Sequence, residues 1–416
     1  MTRCDTLANG IRVVTDRMEH VATATVGFYV AAGSRHERAE ESGVSHFIEH
    51  LVFKGTPTRS PRDIVLAFDA VGGDVNAATE REITYYYGKV LGQHVPMAIE
   101  VLSDMLLHPK LAEEDVDLEL LVIEEEISRY EDTPSELVHD QFAKALWPGQ
   151  AIGRSILGDV ECLRALGPEG VRSYMTGHYT GPNIVVSAAG DVHHEQVVDL
   201  IAAHWSELDV PSSGPAALPA PVASPDVVCD ERDIEQVHFC LGGEAYSMRD
   251  EGRYAGAIID CALGGAASSR LFQEIREKRG LVYSVYSSTA MHLDSGYESI
   301  YAGTRPENLT RVLELIREQF ADLLAHGLSS EEVRAAKEYH RGATLMALDG
   351  VGHRAARNAR SLIAFDRVVP TQEVIAGIEA VTTDQVHEAI HRLFASKPCL
   401  AAIGPVKRSD LAAAVL

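Results

Sequence analysis

The sequence is short of positive charge and of aromatic side chains, and it has no long apolar run. Its 416 residues set only 37 Lys and Arg against 61 Asp and Glu, a formal charge of -24. That balance opposes phosphate backbones and anionic lipid, so neither nucleic acid nor a membrane surface is an expected partner. The same acidity favours solubility and would draw in basic peptides. Cysteines are scattered: Cys4, Cys162, Cys229, Cys240, Cys261 and Cys399 include no CxxC and no close pair. Neither a disulfide framework nor a thiolate metal cluster fits that spacing, which points to a reducing compartment. The longest mostly apolar stretch, Val21 to Ala32, is interrupted by Thr23, Thr25 and Gly27 and falls well short of a bilayer span. The opening MTRCDTLANGIRVVTDRM shows no apolar or Arg-rich leader; Asn9-Gly10 signals a turn and Ile11 to Val14 a strand. Cytoplasmic residence is therefore expected.

With 46% hydrophobic and 24% charged residues, the remainder is the composition of a folded globular chain long enough for two domains. Five prolines between Pro211 and Pro225 lie among Ser, Ala and Gly, which neither continue a helix nor pair in a central strand. The stretch divides the chain nearly in half, and the halves echo each other. Leu106 to Glu119 (LLHPKLAEEDVDLE) resembles Leu323 to Ala336 (LLAHGLSSEEVRAA), and NIVVSAAGDV ending at Val192 resembles PCLAAIGPV ending at Val406. The offsets, 217 and 214, are nearly constant. They predict two copies of one α+β domain, residues 1–210 and 226–416, joined by a Pro-rich linker at 211–225.

The first copy carries the chemistry. Ser45-His46-Phe47-Ile48-Glu49-His50-Leu51-Val52-Phe53-Lys54-Gly55 has the marks of a short helix, with Ser42 or Ser45 as N-cap, Lys54 in the last turn and Gly55 to end it. At about 100° per residue, Glu49 falls about 60° to one side of His46 and His50 about 40° to the other. Val44, Ile48, Leu51 and Val52 occupy the opposite side. Imidazoles at i and i+4 can ligate one metal ion, and a carboxylate between them can take a proton from water. This is the HxxEH arrangement of zinc peptidases, and it requires a third ligand. In the run from Val116 to Ile127, the residues Val116, Leu120, Ile123 and Ile127 form one buried helical stripe. Glu125 points away from it, while Glu124 and Glu126 lie at its two edges, with Glu119 two turns before Glu126. Geometry leaves Glu126 or Glu124 as the ligand, and Glu119 reads equally as a solvated flank.

These residues resemble the pitrilysin-type, or inverzincin, metallopeptidases, in the branch of mitochondrial processing peptidase and its bacterial relatives. The resemblance runs through Gly33 to Glu37, His46 to Thr56, Gly72 to Ala77 and Val122 to Pro134. It implies a zinc endopeptidase, one Zn2+ per chain, held by His46, His50 and a Glu placed 76 positions beyond the second His, which is Glu126. Glu49 would activate the water and Glu119 would be the second acidic residue of the site. The implied fold is α+β: two homologous domains, each an antiparallel-rich sheet with helices packed on one side, paired into a clamshell.

Gly72-Gly73 followed by DVNAATEREITYYYGKV reads as a turn into alternating strands, either an interior hairpin or an edge. The resemblance implies an edge strand on which Asn76 and Ala77 pair with an extended substrate. The second copy lacks HxxEH. In its stretch from Gly264 to Tyr283, the resemblance assigns Arg276 and Tyr283 to substrate carbonyl and oxyanion binding. The family's Gly-Gly-Gly-Met is Gly-Gly-Ala-Ala here. Family clamshells contain four copies of the domain, so a chain with two implies a homodimer with sites completed in trans, or a heterodimer with a related subunit. A structural, non-catalytic subunit would lack part of the motif, and every part is present.

Overall fold

The computed structural model describes residues 2–208 and 218–415; residues 211–217 of the expected linker lie outside the described residues. The chain forms two compact units. In the first, six strands, β1 (Thr2–Thr6), β2 (Arg12–Arg17), β3 (Thr23–Val30), β4 (Asp74–Thr79), β5 (Thr84–Leu91) and β6 (Ile184–Gly190), form one sheet in the order β1-β2-β6-β3-β5-β4. In the second, β7 (Val227–Glu231), β8 (Val237–Glu244), β9 (Val282–Met291), β10 (Gly296–Thr304) and β11 (Cys399–Gly404) lie in the order β7-β11-β8-β10-β9. From β2 onward the two orders are the same. Each sheet is antiparallel except for one parallel pair, β2 with β6 and β7 with β11. The echoed segments NIVVSAAG and CLAAIG are the equivalent strands β6 and β11, so the internal repeat is a repeat of topology.

The alternation of side chains sends Val13, Val26, Phe28, Tyr86 and Val186 to one face of the first sheet. The helices Val44–Leu51, Val95–Leu107, Val160–His178 and His194–His204 pack there, as the implied fold requires. Yet β6 is buried along its whole length, because the opposite face is covered too. The cover is the helix Val351–Phe365: Ala359, Leu362 and Ile363 pack on Val14, Tyr29 and Val185, and the Ser187 hydroxyl donates to the Ala355 carbonyl at 2.7 Å.

The second sheet is treated in the same way. Val138, Phe142 and Leu146 of the helix Pro134–Leu146 pack on Cys240, Tyr301, Cys399 and Ile403. The compact units therefore interleave along the sequence: Ser128–Gly153 belongs with the second, and Met346–Val369 with the first. All six cysteines are free. Among the described residues, no helix is long and apolar enough to cross a membrane.

Candidate metal centre

The HxxEH segment forms the helix Val44–Leu51, continues as a tighter turn over Val52–Lys54, and ends at Gly55 with φ 105°. Val44, Phe47, Ile48 and Leu51 are fully buried in the first core, which fixes the rotation of the helix and leaves His46, Glu49 and His50 on its remaining face. The helix Glu113–Glu131 brings Glu119 and Glu126 to the same place. His46 Nε2 and His50 Nε2 are 3.2 Å apart, and Glu126 Oε2 lies 3.7 Å from each. Among the described residues, these three form the group of ligand atoms close enough to share one metal ion. Glu124 and Glu125 are exposed, whereas Glu126 is half-buried.

Glu119 is buried at 3% exposure, so the solvated-flank alternative fails. Its Oε1 sits 2.8 Å from His50 Nδ1, and its other oxygen pairs with Lys54 Nζ. A carboxylate at Nδ1 selects the tautomer with its proton there and leaves the Nε2 lone pair for a metal. Burial alone would raise the Glu119 pKa, but the bonds from His50 and Lys54 outweigh it and hold the carboxyl below its usual range. Burial, with His50 next, pushes the His46 imidazole down to about 4, so this ring is neutral near pH 7. Burial opposes charge on His50 as well, yet Glu119 and the nearby Glu49 and Glu126 raise its pKa overall.

Glu49 is fixed from the sheet. Thr79, the last residue of β4, donates its hydroxyl to Glu49 Oε2 at 2.6 Å. Burial raises the Glu49 pKa, against the pull of the Thr79 bond. Asn76 and Ala77 lie on the same strand, which among the described residues pairs with β5 alone and is the sheet edge, so the interior-hairpin alternative falls. The Ala77 N–H donates to the Asn76 side-chain oxygen at 2.8 Å.

Residues 12–160 match the family model described as insulinase (peptidase family M16), and residues 165–339 match the one described as peptidase M16 inactive domain. An uncharacterized zinc protease of Streptomyces coelicolor is 40% identical over 413 residues, covering 97% of this chain and 90% of that protein. The chain belongs to peptidase family M16. An uncharacterized zinc protease of Bacillus subtilis is 36% identical over 400 residues, covering 96% of this chain and 97% of its own. The fold is shared with a protease from Helicobacter pylori, with TM-score 0.90 at 19% identity over 97% of this chain and 99% of that one. It is shared also with a peptidase M16 inactive domain from Pseudomonas fluorescens, with TM-score 0.87 at 19% identity over 98% of each chain.

In this M16 chain the metal-site helix is not capped by Ser42 or Ser45. Its N-cap is Gly43, at φ 95°, and the acceptor comes from Glu37: the backbone N–H groups of Gly43 and Ser45 donate to its two carboxylate oxygens at 2.8 and 2.9 Å. A side chain at residue 43 would collide with the Leu157 carbonyl oxygen, 2.8 Å from an added Cβ, which explains a glycine where a serine cap would otherwise serve. Burial raises the Glu37 pKa to about 7, against the two backbone donors. Removing this carboxylate would strand two buried N–H groups at a cost of about 1–3 kcal/mol each. Its one local signal is the acidic residue that ends Gly33-Ser34-Arg35-His36-Glu37.

Arg276 and Tyr283 come together in the second unit. The guanidinium carbon is 4.6 Å from the Phe272 ring centroid and 5.8 Å from that of Tyr283, which is 82% exposed. Tyr283 stands near the start of β9, the edge strand of its sheet.

Proposed function

We propose that this M16 chain is a zinc endopeptidase that cleaves extended peptides or unfolded protein segments in a closed chamber, with Glu49 activating the attacking water. One observation carries the reading: three ligand atoms from two helices converge while Glu49, on the same helix face, is held by the edge strand. Two imidazoles and a carboxylate suit zinc, with one ion per chain held by His46, His50 and Glu126. When bound, zinc supplies Lewis acidity, lowering the pKa of a water and polarising a carbonyl. Glu49 takes the water proton on the oxygen that Thr79 leaves free and returns it to the departing amine; burial suits it to the exchange by raising its affinity for that proton. The edge of β4 at Asn76 and Ala77 aligns an extended backbone without depending on side chains, and the acidic surface favours basic peptides. Removing the metal with a chelator should abolish peptide hydrolysis, and equimolar zinc should restore it. Hydrolysis that survives complete metal removal would defeat the proposal.

The proposal extends to assembly: a homodimer in which Arg276 and Tyr283 of one chain complete the zinc site of the other, Arg276 meeting the substrate carbonyl and Tyr283 the oxyanion. A mixed dimer of differently tagged Glu49→Gln and Arg276→Ala chains should then keep one good site and about half of wild-type activity. An inactive mixed dimer would mean that sites are completed within one chain or by another subunit.

A further inference from the structure

The second unit holds a histidine pair that the proposed peptidase chemistry leaves unused. His387-Glu388-Ala389-Ile390-His391 lies on the helix Thr383–Phe394. The helix start is fixed by a reciprocal cap: Gln385 N–H donates to Thr382 Oγ1 at 3.2 Å, and Thr382 N–H to the Gln385 side chain at 2.8 Å. Val386, Ala389, Ile390 and Leu393 are buried in the second core, so the helix presents His387, Glu388 and His391 to solvent on a rigid face.

The two rings stand 4.8 Å apart at 76°, nearly the arrangement of His46 and His50 at 4.6 Å and 72°. Among the described residues, no hydrogen bond engages either ring. His387 also lines a cavity of about 290 Å³ together with Asp384, Glu388 and His326.

We propose that His387 and His391 chelate a second divalent cation of the borderline class, zinc, nickel or copper, more weakly than the first site holds its own. Imidazoles at i and i+4 of one helix can meet one ion, and Asp384 and Glu388 beside His387 add negative charge. Nitrogen donors select against magnesium and calcium, which require oxygen shells. The H-E-x-x-H order is that of another zinc-peptidase class. Here, however, Glu388 is exposed, and among the described residues no third ligand atom converges on the pair. The pair binds metal without the enclosed geometry that peptide hydrolysis needs.

The test is calorimetric titration of the untagged, zinc-loaded full chain with further zinc, and separately with copper and magnesium. Wild type should take up one further equivalent, copper should bind more tightly than zinc, and magnesium should not bind. His387→Ala and His391→Ala should each weaken the second event by about tenfold or more. Both side chains are exposed, so the first zinc, the melting temperature and peptide hydrolysis should be unchanged in these variants. No uptake beyond the first equivalent, or unchanged uptake in the His387→Ala/His391→Ala double variant, would overturn the proposal.

Discussion

Glu49→Gln should keep its zinc and lose peptide hydrolysis by about three orders of magnitude. The carboxamide matches the carboxylate in shape and can still accept the Thr79 hydroxyl that bonds Glu49 Oε2 at 2.6 Å, so the helix and its two imidazoles should stay in place. What disappears is the capacity to take a proton, and removing a positioned general base costs about 10²–10⁴ in rate. Single-turnover rates and metal content measured on one preparation separate the two effects. Turnover near the wild-type level in this variant would show that another group activates water, whereas loss of zinc would show that Glu49 supports the metal shell.

Metal binding should respond just as sharply at Glu126 and hardly at all at Glu124. Glu126 Oε2 lies 3.7 Å from both Nε2 atoms, while Glu124 is exposed on the other edge of the same helix. A neutral amide oxygen is a poor substitute for a carboxylate toward a dication, so Glu126→Gln should weaken zinc binding by about a hundredfold or more. Glu124→Gln should stay within about twofold of wild type, as surface changes generally do. Competition with a chromophoric chelator reads both constants. Equal losses in the two variants would mean that the helix face has been misassigned.

Much of this centre was legible in the sequence because helical periodicity is local. The spacing of His46, Glu49 and His50, set against Val44, Ile48 and Leu51, fixes which side of the helix is polar before any partner is known. The choice between Glu124 and Glu126 was not legible that way. Both flank the stripe of Leu120 and Ile123, and only the family spacing, and then the distances, separate them. Glu119 shows a sharper limit: periodicity places it at the edge of a stripe but cannot say that Lys54 and His50 will neutralise it in a buried position. Glu37 was missed as a cap because serine is the local signal for a helix start, and a carboxylate arriving through a loop has no such signature. The division into halves near residue 211 followed the prolines and the repeat. The exchange of Pro134–Leu146 and Val351–Phe365 between the two halves of the sequence lay beyond it, since an apolar stripe announces that a helix will be covered and does not name the sheet.

That exchange bears on the order in which the protein is made. A ribosome releases the first sheet complete in sequence once Gly190 has emerged, but the helix that covers its second face ends only at Phe365. Until then Val14, Tyr29 and Val185 lack their cover, for roughly ten to thirty seconds at common rates of synthesis of about 5–20 residues per second. The helix Pro134–Leu146 waits still longer, because the strand it packs beside, β11, begins only at Cys399. Neither unit can reach its final packing from its own half of the sequence, the first waiting for Phe365 and the second holding a helix made more than two hundred residues before β11, so the two units are tied together in the order of their synthesis although each sheet is formed by a separate half.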